Sequence, residues 1–389
     1  MQPVLRHARQ SGARLERPEH ALKFQQAIAD AAVERSRLYI AGVRAYQNHP
    51  AERDASDMPV IWREGGTALR DYNPMGGVPM LVVPSLINRF HILDLATDHS
   101  LLRFLAARGF RPLVVDWDAP SVEDRDFTLA DYITRLERVL AFVTGLGLRS
   151  PPPPNLPREG GGTRPVLAET VGASAHQGVH ILGYCMGGLL ALALSVLRPD
   201  ATRSLSLMAT PWHFPPSASG VGDFRTLAAK FEPYLQQWGL LPAALMEALF
   251  AALQPAHAMR KFTRFALMDQ TTDAARRFVL TEDWLNDGVP LTANVARECL
   301  SGWYGENLTG KLRWRVGDTV IDPRAVTAPT YVLVPGEDKL VPPESALPLA
   351  RLIRNATLRE PKLGHIGLLA SATAPSLVWE PLAHWLSQR

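Results

Sequence analysis

The chain has 389 residues, 47% hydrophobic and 20% charged, with a formal net charge of +3. It can bury a large core, as one big α/β domain with an insertion or as two modest domains. Scattered Lys and Arg without a basic stripe argue against a nucleic-acid partner. Two cysteines, Cys185 and Cys299, exclude a disulfide scaffold and point to a reducing cytoplasm.

Arg6, His7, Arg9 and Arg14 are not followed by an apolar run, so no secretory signal is read. Residues 1–20 are polar and aperiodic, a loose tail. From Ala21 to Tyr46 apolar residues recur at helical spacing (Leu22, Phe24, Ile28, Ala32, Leu38, Val43), giving an amphipathic helix or helix pair. Its apolar face either packs on the core or docks on a partner or an apolar granule. Pro50 to Asp57 reads as a linker, so residues 1–57 form a tail and helix ahead of the main domain.

Val60–Arg63 and Ala68–Tyr72 flank Gly65-Gly66 as a hairpin. Met80–Pro84 is a continuous apolar run, a strand buried on both faces. A helix through Leu101–Leu105, a second buried strand at Pro112–Trp117 and a helix from Asp131 to Gly145 follow. That rhythm predicts a parallel sheet with crossovers. Arg149 to Gly178, with Pro151–Pro154 and Gly160–Gly162, interrupts it as a mobile surface loop. The longest uncharged stretch, Ile181 to Leu197, is short of the ~20 apolar residues of a membrane span and contains a Gly-rich turn. No transmembrane segment is expected.

Val179 to Leu190 reads as an apolar strand, a tight Gly183-Tyr184-Cys185-Met186-Gly187 turn and an apolar helix. This is a nucleophile elbow with cysteine in the usual serine position. Gly183 and Gly187 are needed because a Cβ at either would crowd the neighbouring strand or helix. A helix N-terminus favours a thiolate and supplies a backbone N–H to an oxyanion.

Ser204–Met208 is the next strand. Residues 214–307 then break the alternation with a helix-rich, aromatic insertion, a cap. In it Leu240 to Leu253 is almost wholly apolar, with Pro242 near a helix start. Leu245, Met246, Leu249, Phe250 and Leu253 read as core packing, with a lipophilic channel as the alternative. A hairpin around Gly317-Asp318, a strand from Thr330, a helix from Pro343 to Ile353, a short strand near Leu358 and a closing helix to Trp385 complete the chain. Residues 58–213 and 308–389 thus make an α/β core, a mostly parallel central sheet with helices on both faces.

Asp338 follows a buried strand, and His365 sits in the Gly364-His365-Ile366-Gly367 loop after the next one. Cys185, Asp338 and His365 stand in the nucleophile–acid–histidine order of α/β-hydrolases. His365 would deprotonate Cys185 or pair with its thiolate, and Asp338 would hold the imidazole in one tautomer. An oxyanion would take the Met186 N–H and a second donor at Ser85 or Leu86. Cysteine in place of serine favours acyl transfer from a thioester, because the acyl-enzyme stays activated. Cys299 reads as a buried small hydrophobe, and Trp303 and Tyr304 as cap lining. Trp284 and Asp287 carry no assigned role. His176, His180 and His213 lack metal-ligand spacing. His91 and His213 are the other histidines near enough in the chain pattern to approach the site, though neither is read as catalytic.

Pro84-Ser85-Leu86-Ile87-Asn88-Arg89-Phe90-His91-Ile92-Leu93-Asp94-Leu95, the cysteine box Leu182–Gly188, Asp338–Pro343 and Gly364–Gly367 together resemble the polyhydroxyalkanoate synthase family. The resemblance implies an α/β-hydrolase core with a helical cap over the cysteine. It implies an (R)-3-hydroxyacyl-CoA substrate, release of CoA and growth of a polyester on the thiol, with no separate cofactor. Cys185 would carry the chain and His365 would activate it. Asp338 would orient His365 or help deprotonate the incoming 3-hydroxyl. Lys339 departs from the family, which usually has histidine there, and the Pro-rich loop is extra. The length is closer to the short type that works with a second subunit, so a homodimer or a second synthase subunit is expected. The expected location is the cytoplasm, at polyester granules. The competing readings are a thioesterase, esterase or polyester depolymerase, and a non-catalytic granule-associated relative.

Overall fold

The computed structural model describes residues 18–54, 58–147, 178–214, 224–253 and 256–389. The tail before Pro18, residues 55–57 of the linker and the Pro/Gly-rich loop up to residue 177 lie outside the described residues. So do the side chains at 249–253, and with them Leu249, Phe250 and Leu253 of the expected core stripe.

Strands β1 (Val60–Glu64) and β2 (Thr67–Asp71) form the expected hairpin. They are followed by β3 (Val78–Val83), β4 (Phe110–Trp117), β5 (Val179–Tyr184), β6 (Thr202–Met208), β7 (Thr330–Leu333) and β8 (Ala356–Arg359). These eight make one sheet in the order β1-β2-β4-β3-β5-β6-β7-β8. β2 pairs antiparallel with β1 and β4, and every other pair is parallel.

The apolar runs of β3 and β4 are continuous because both faces are covered. Side chains alternate between two cores. Leu81, Val83, Leu113, Val115, Val179 and Ile181 face one core with α3 (Leu129–Gly147) and α4 (Met186–Leu197). Met80, Val82, Val114, Leu182 and Tyr184 face the other, with α2 (Leu101–Ala106) and the closing helix Glu380–Ser387. The uncharged stretch from Ile181 is therefore β5, a turn and α4, all inside the domain. Among the described residues no helix is long and apolar enough to cross a membrane.

The chain forms two compact units, Met1–Glu52 with Gln254–Val279, and Arg53–Leu253 with Leu280–Arg389. The stretch read as cap is thus divided, with 254–279 joining the unit of the first helix. In that first unit one helix, α1 (Pro18–Gln47), packs on the helix His257–Ala266. Gly42 lies so near Phe262 O that a Cβ would sit 1.9 Å from it. Tyr39 and Tyr46 meet the Phe262 ring at centroid distances of 6.1 and 5.7 Å.

In the larger unit the insertion supplies α5 (Phe224–Trp238), α6 (Ala243–Leu253) and the short helix Ala293–Arg297, which continues as a π-helix from Glu298 to Gly305. Glu298 Oε2 accepts from the Leu129 amide at 2.7 Å, tying the π-helix to the start of α3. The two stems of the insertion meet at Asn307, whose φ is 54°. Its Oδ1 accepts from the amides of Phe214 at 3.0 Å and Gly310 at 3.2 Å, and its Nδ2 lies 2.9 Å from His213 Nδ1. Thr309 Oγ1 adds a bond of 2.5 Å to Trp212 O.

Candidate active site

Cys185 stands between β5 and α4 at φ 55° and ψ −127°. Positive φ is uncommon for a residue with a Cβ and is held only where the surroundings fix it. Here the Cys185 amide donates to Met208 O at 2.9 Å, and its carbonyl accepts from the Gly188 amide at 2.9 Å. A Cβ on Gly183 would lie 2.5 Å from Gly188 Cα, and one on Gly187 would lie 2.2 Å from Val83 O. Both neighbours are backbone, so neither position admits a side chain.

The approach at Gly187 has a second effect. It sets the first turn of α4, with the Met186 amide, against the loop after β3 that carries Ser85 and Leu86. Both of those residues are buried. Ser85 Oγ accepts from the Ile87 amide at 3.3 Å, and Trp117 Nε1 donates to Pro84 O at 3.1 Å, so the loop is braced on each side.

Asp338 follows β7 and His365 follows β8, and their loops are zipped together. The Gly336 amide donates to Pro361 O at 2.9 Å and the Glu337 amide to Leu363 O at 3.0 Å. His365 Nδ1 lies 2.7 Å from Asp338 Oδ2. The other carboxylate oxygen, Oδ1, accepts from the amides of Leu340 and Val341, both at 2.8 Å. Asp338 thus cannot rotate without losing two backbone bonds. Lys339 beside it is exposed.

Burial alone would push the His365 imidazole down. The negative charges of Cys185 and Asp338 and hydrogen bonds to both outweigh it, and the pKa is raised to about 10. The ring packs on Tyr184 at a centroid distance of 5.2 Å, and Tyr184 OH reaches His365 O at 3.4 Å.

Cys185 opens into an apolar cavity of about 50 Å³, walled by residues such as Ile87, Met186, Met246, Leu300 and Tyr304. The π-helix contributes four of its residues: Cys299, Leu300, Trp303 and Tyr304. π-Helical turns are rare and concentrate at functional sites. Burial pushes the Cys299 thiol well above its ordinary range, so it remains a neutral wall group. Met246, read as core packing, faces the cavity.

Neither extra histidine lines this cavity. His213 belongs to the Asn307 clasp. His91 lies 3.7 Å from Asp287, but burial and then Arg53, Arg89 and Arg70 lower its pKa to about 3. The neutral ring makes no ion pair at neutral pH. Asp287 is instead held by Arg89, whose guanidinium also bonds Asp118, at 3.2 and 3.0 Å. Trp284 Nε1 donates to Arg89 O at 2.7 Å. These two residues therefore fasten the return of the insertion to the loop after β3. Among the described residues no group of three or more His, Cys, Asp or Glu side chains fits a metal ion.

Sequence reasoning brought forward Cys185, Asp338, His365, Met186, Ser85 and Leu86, and the structure brings these segments to one end of the sheet. It missed Tyr184, Leu300 and Asn307. Tyr184 lies inside the cysteine box, but a strand tyrosine reads as core, and only the fold puts His365 against it.

A family model described as alpha/beta hydrolase fold matches residues 173–372, and one for the N-terminus of poly-beta-hydroxybutyrate polymerase matches residues 55–105. The chain belongs to the α/β-hydrolase fold family, as its strand order and elbow also require. Within that family its relatives are poly(3-hydroxyalkanoate) polymerases, which bears out the resemblance read from the cysteine box. It is 26% identical over 341 residues to the poly(3-hydroxyalkanoate) polymerase subunit PhaC of Haloferax mediterranei, covering 85% of this chain and 63% of that one. To the subunit of the same name from Allochromatium vinosum it is 27% identical over 327 residues, 80% of this chain and 81% of the relative. The chain spans about three fifths of the relatives from Haloferax mediterranei and Haloarcula marismortui, 63% and 61% of their lengths. Among solved structures, the monoacylglycerol lipase of Paleococcus ferrophilus shares the fold at 14% identity and a TM-score of 0.50, covering 84% of this chain and 99% of the lipase.

Proposed function

We propose that this chain is an acyltransferase that polymerises (R)-3-hydroxyacyl-CoA into a polyester through a thioester on Cys185. The observation that carries the reading is the strained cysteine beside the His365–Asp338 pair, opening into an apolar cavity. The polymerase relatives support the same chemistry.

The Cys185 thiolate attacks the thioester carbonyl. The Met186 amide and a second amide at Ser85 or Leu86 stabilise the tetrahedral oxyanion. The intermediate collapses with cleavage of the carbon–sulfur bond to CoA, and His365 protonates the departing thiolate. The neutral imidazole then takes the proton from the 3-hydroxyl of the next unit. That oxygen attacks the Cys185 thioester, the acyl–sulfur bond breaks to free the Cys185 thiolate, and the lengthened chain, an ester that still ends in the incoming CoA thioester, reacylates Cys185 with release of that CoA. Asp338 holds the imidazole throughout. The thioester is the substrate, and no further cofactor is invoked.

Hydrolysis would require water at the acyl-enzyme. An apolar wall favours transfer over hydrolysis. The relatives named as subunits support a partner, either a second copy or another synthase subunit, and a location at the granule surface in the cytoplasm.

The test is incubation with 3-hydroxybutyryl-CoA while thiol release and product size are followed. Insoluble polyester is expected. Free 3-hydroxybutyrate alone would make the protein a hydrolase. No thiol release, with Cys185 inert to iodoacetamide, would leave the non-catalytic reading. A Cys185→Ala variant is expected to lose all turnover.

A further inference from the structure

The cavity over Cys185 is small, about 50 Å³. A water needs roughly 10–15 Å³ in this measure, so the space holds about four waters, or one short acyl unit. It cannot hold a chain of several units. A growing chain on Cys185 must therefore extend beyond this space.

One wall leads somewhere. Leu300 is 2% exposed and lines the catalytic cavity. It also lines an open groove of about 420 Å³ between α5 and the π-helix. Leu300 is the residue that the two linings share. It sits on the π-helix, a rare turn of the kind that concentrates at functional sites.

The groove has a definite chemistry. Ala228, Ala229 and Leu235 give it an apolar side, and Glu232, Arg297, Ser301 and Glu306 a polar one. Arg297 is spent on Glu232, with Nε and Nη2 bonds of 3.0 and 2.9 Å. The formal balance is two carboxylates against one guanidinium, a net of −1. A polyanionic CoA would be repelled there. A neutral chain alternating apolar carbons with ester carbonyls matches the mixed lining.

We propose that Leu300 is a gate, and that the groove beyond it is a second binding site, for the neutral ester chain leaving Cys185. The proposal rests on the reading of Cys185 as acyl carrier, but its test does not require polymerisation.

The experiment measures alkylation of Cys185, located by peptide mass. Three iodoacetyl reagents are used: iodoacetamide, a neutral iodoacetyl ester of a hydroxybutyrate trimer, and an iodoacetyl reagent with a phosphopantetheine tail. In each case the thiolate displaces iodide, and the tail must then find room. Leu300→Ala is expected to speed the trimer reagent about tenfold and iodoacetamide much less. Ala229→Trp, at an exposed helical site lining the groove, is expected to slow the trimer reagent about tenfold and spare iodoacetamide. Should Leu300→Ala misfold, the Ala229→Trp arm still decides. Equal effects on trimer and iodoacetamide, or no effect of Ala229→Trp, would overturn the gate. So would a phosphopantetheine reagent slowed as strongly as the trimer, since the groove would then be the CoA entry. Trimer results as expected, with no polyester from the thioester, would leave the gate standing and overturn the polymerase reading.

Discussion

Replacing Asp338 by Asn tests how the imidazole is aimed. Asp338 Oδ1 accepts two backbone amides at 2.8 Å, while Oδ2 faces His365 Nδ1 at 2.7 Å. In Asp338→Asn the amide oxygen is held by the two backbone donors, because an NH₂ group there would meet two N–H groups head on. The Asn NH₂ must therefore face Nδ1, and Nδ1 must become an acceptor. The proton then moves to Nε2, and the ring can no longer take one from a nucleophile. In the serine triads this wrong tautomer costs about 10⁴ in rate. A thiol at a helix N-terminus depends less on its base, so about 10²–10⁴ is expected for Cys185, or ~3–5 kcal/mol in the barrier. The fold should survive, because the turn through Leu340 and Val341 keeps its acceptor. The assay is single-turnover acylation of Cys185 by 3-hydroxybutyryl-CoA, followed by mass. Acylation within threefold of wild type would refute the tautomer argument. If only chain elongation then fell, Asp338 would be acting on the incoming hydroxyl instead.

The raised pKa of His365 gives a stability prediction: the contribution is complete below the ordinary value of 6.5 and fades as pH rises through about 10. The Tm advantage of wild type over His365→Gln should therefore shrink between pH 7 and pH 10, and a constant gap would refute the charged pair. Gly187→Ala forces a Cβ to 2.2 Å from Val83 O; a loss of about 1–3 kcal/mol or more in urea unfolding is expected from such overpacking, and a neutral result would be fatal to the close approach. Asn307→Ala removes the acceptor of two amides and puts alanine at φ 54°; ~2 kcal/mol of stability should be lost, while Asn307→Asp, which keeps the acceptor, should lose less. Arg89→Ala frees Asp118 and Asp287, both well exposed; about 1 kcal/mol or less is expected, falling with added salt.

Short-range signals carried the sequence reading far. The hairpin at Gly65-Gly66, the buried runs of β3 and β4 and the elbow at Cys185 are each written in a few adjacent residues. Chain order then pointed to Asp338 and His365. The rest depends on partners far apart in the chain. Asn307 meets Phe214 across 93 residues and Arg89 meets Asp287 across 198, and neither sequence neighbourhood names its partner. The π-helix was invisible because Glu298–Gly305 has ordinary helical composition, and the register change comes from packing. The long amphipathic helix was legible, but its companion, His257–Ala266, lay inside a stretch read as one cap.

The Asn307 clasp makes the insertion a cassette. Chain leaves the core beside His213 and re-enters beside Asn307, and the insertion is held to the core again where Glu298 meets Leu129 and Trp284 meets Arg89. All of these ties fall on loops and helices, so the segment can be lengthened, shortened or exchanged without re-registering a strand of the main sheet. The core supplies the chemistry, and the cassette decides what reaches it. Chimeras that keep 212–214 with 307–310 and swap the intervening chain should retain a reactive Cys185 while changing which acyl groups it accepts.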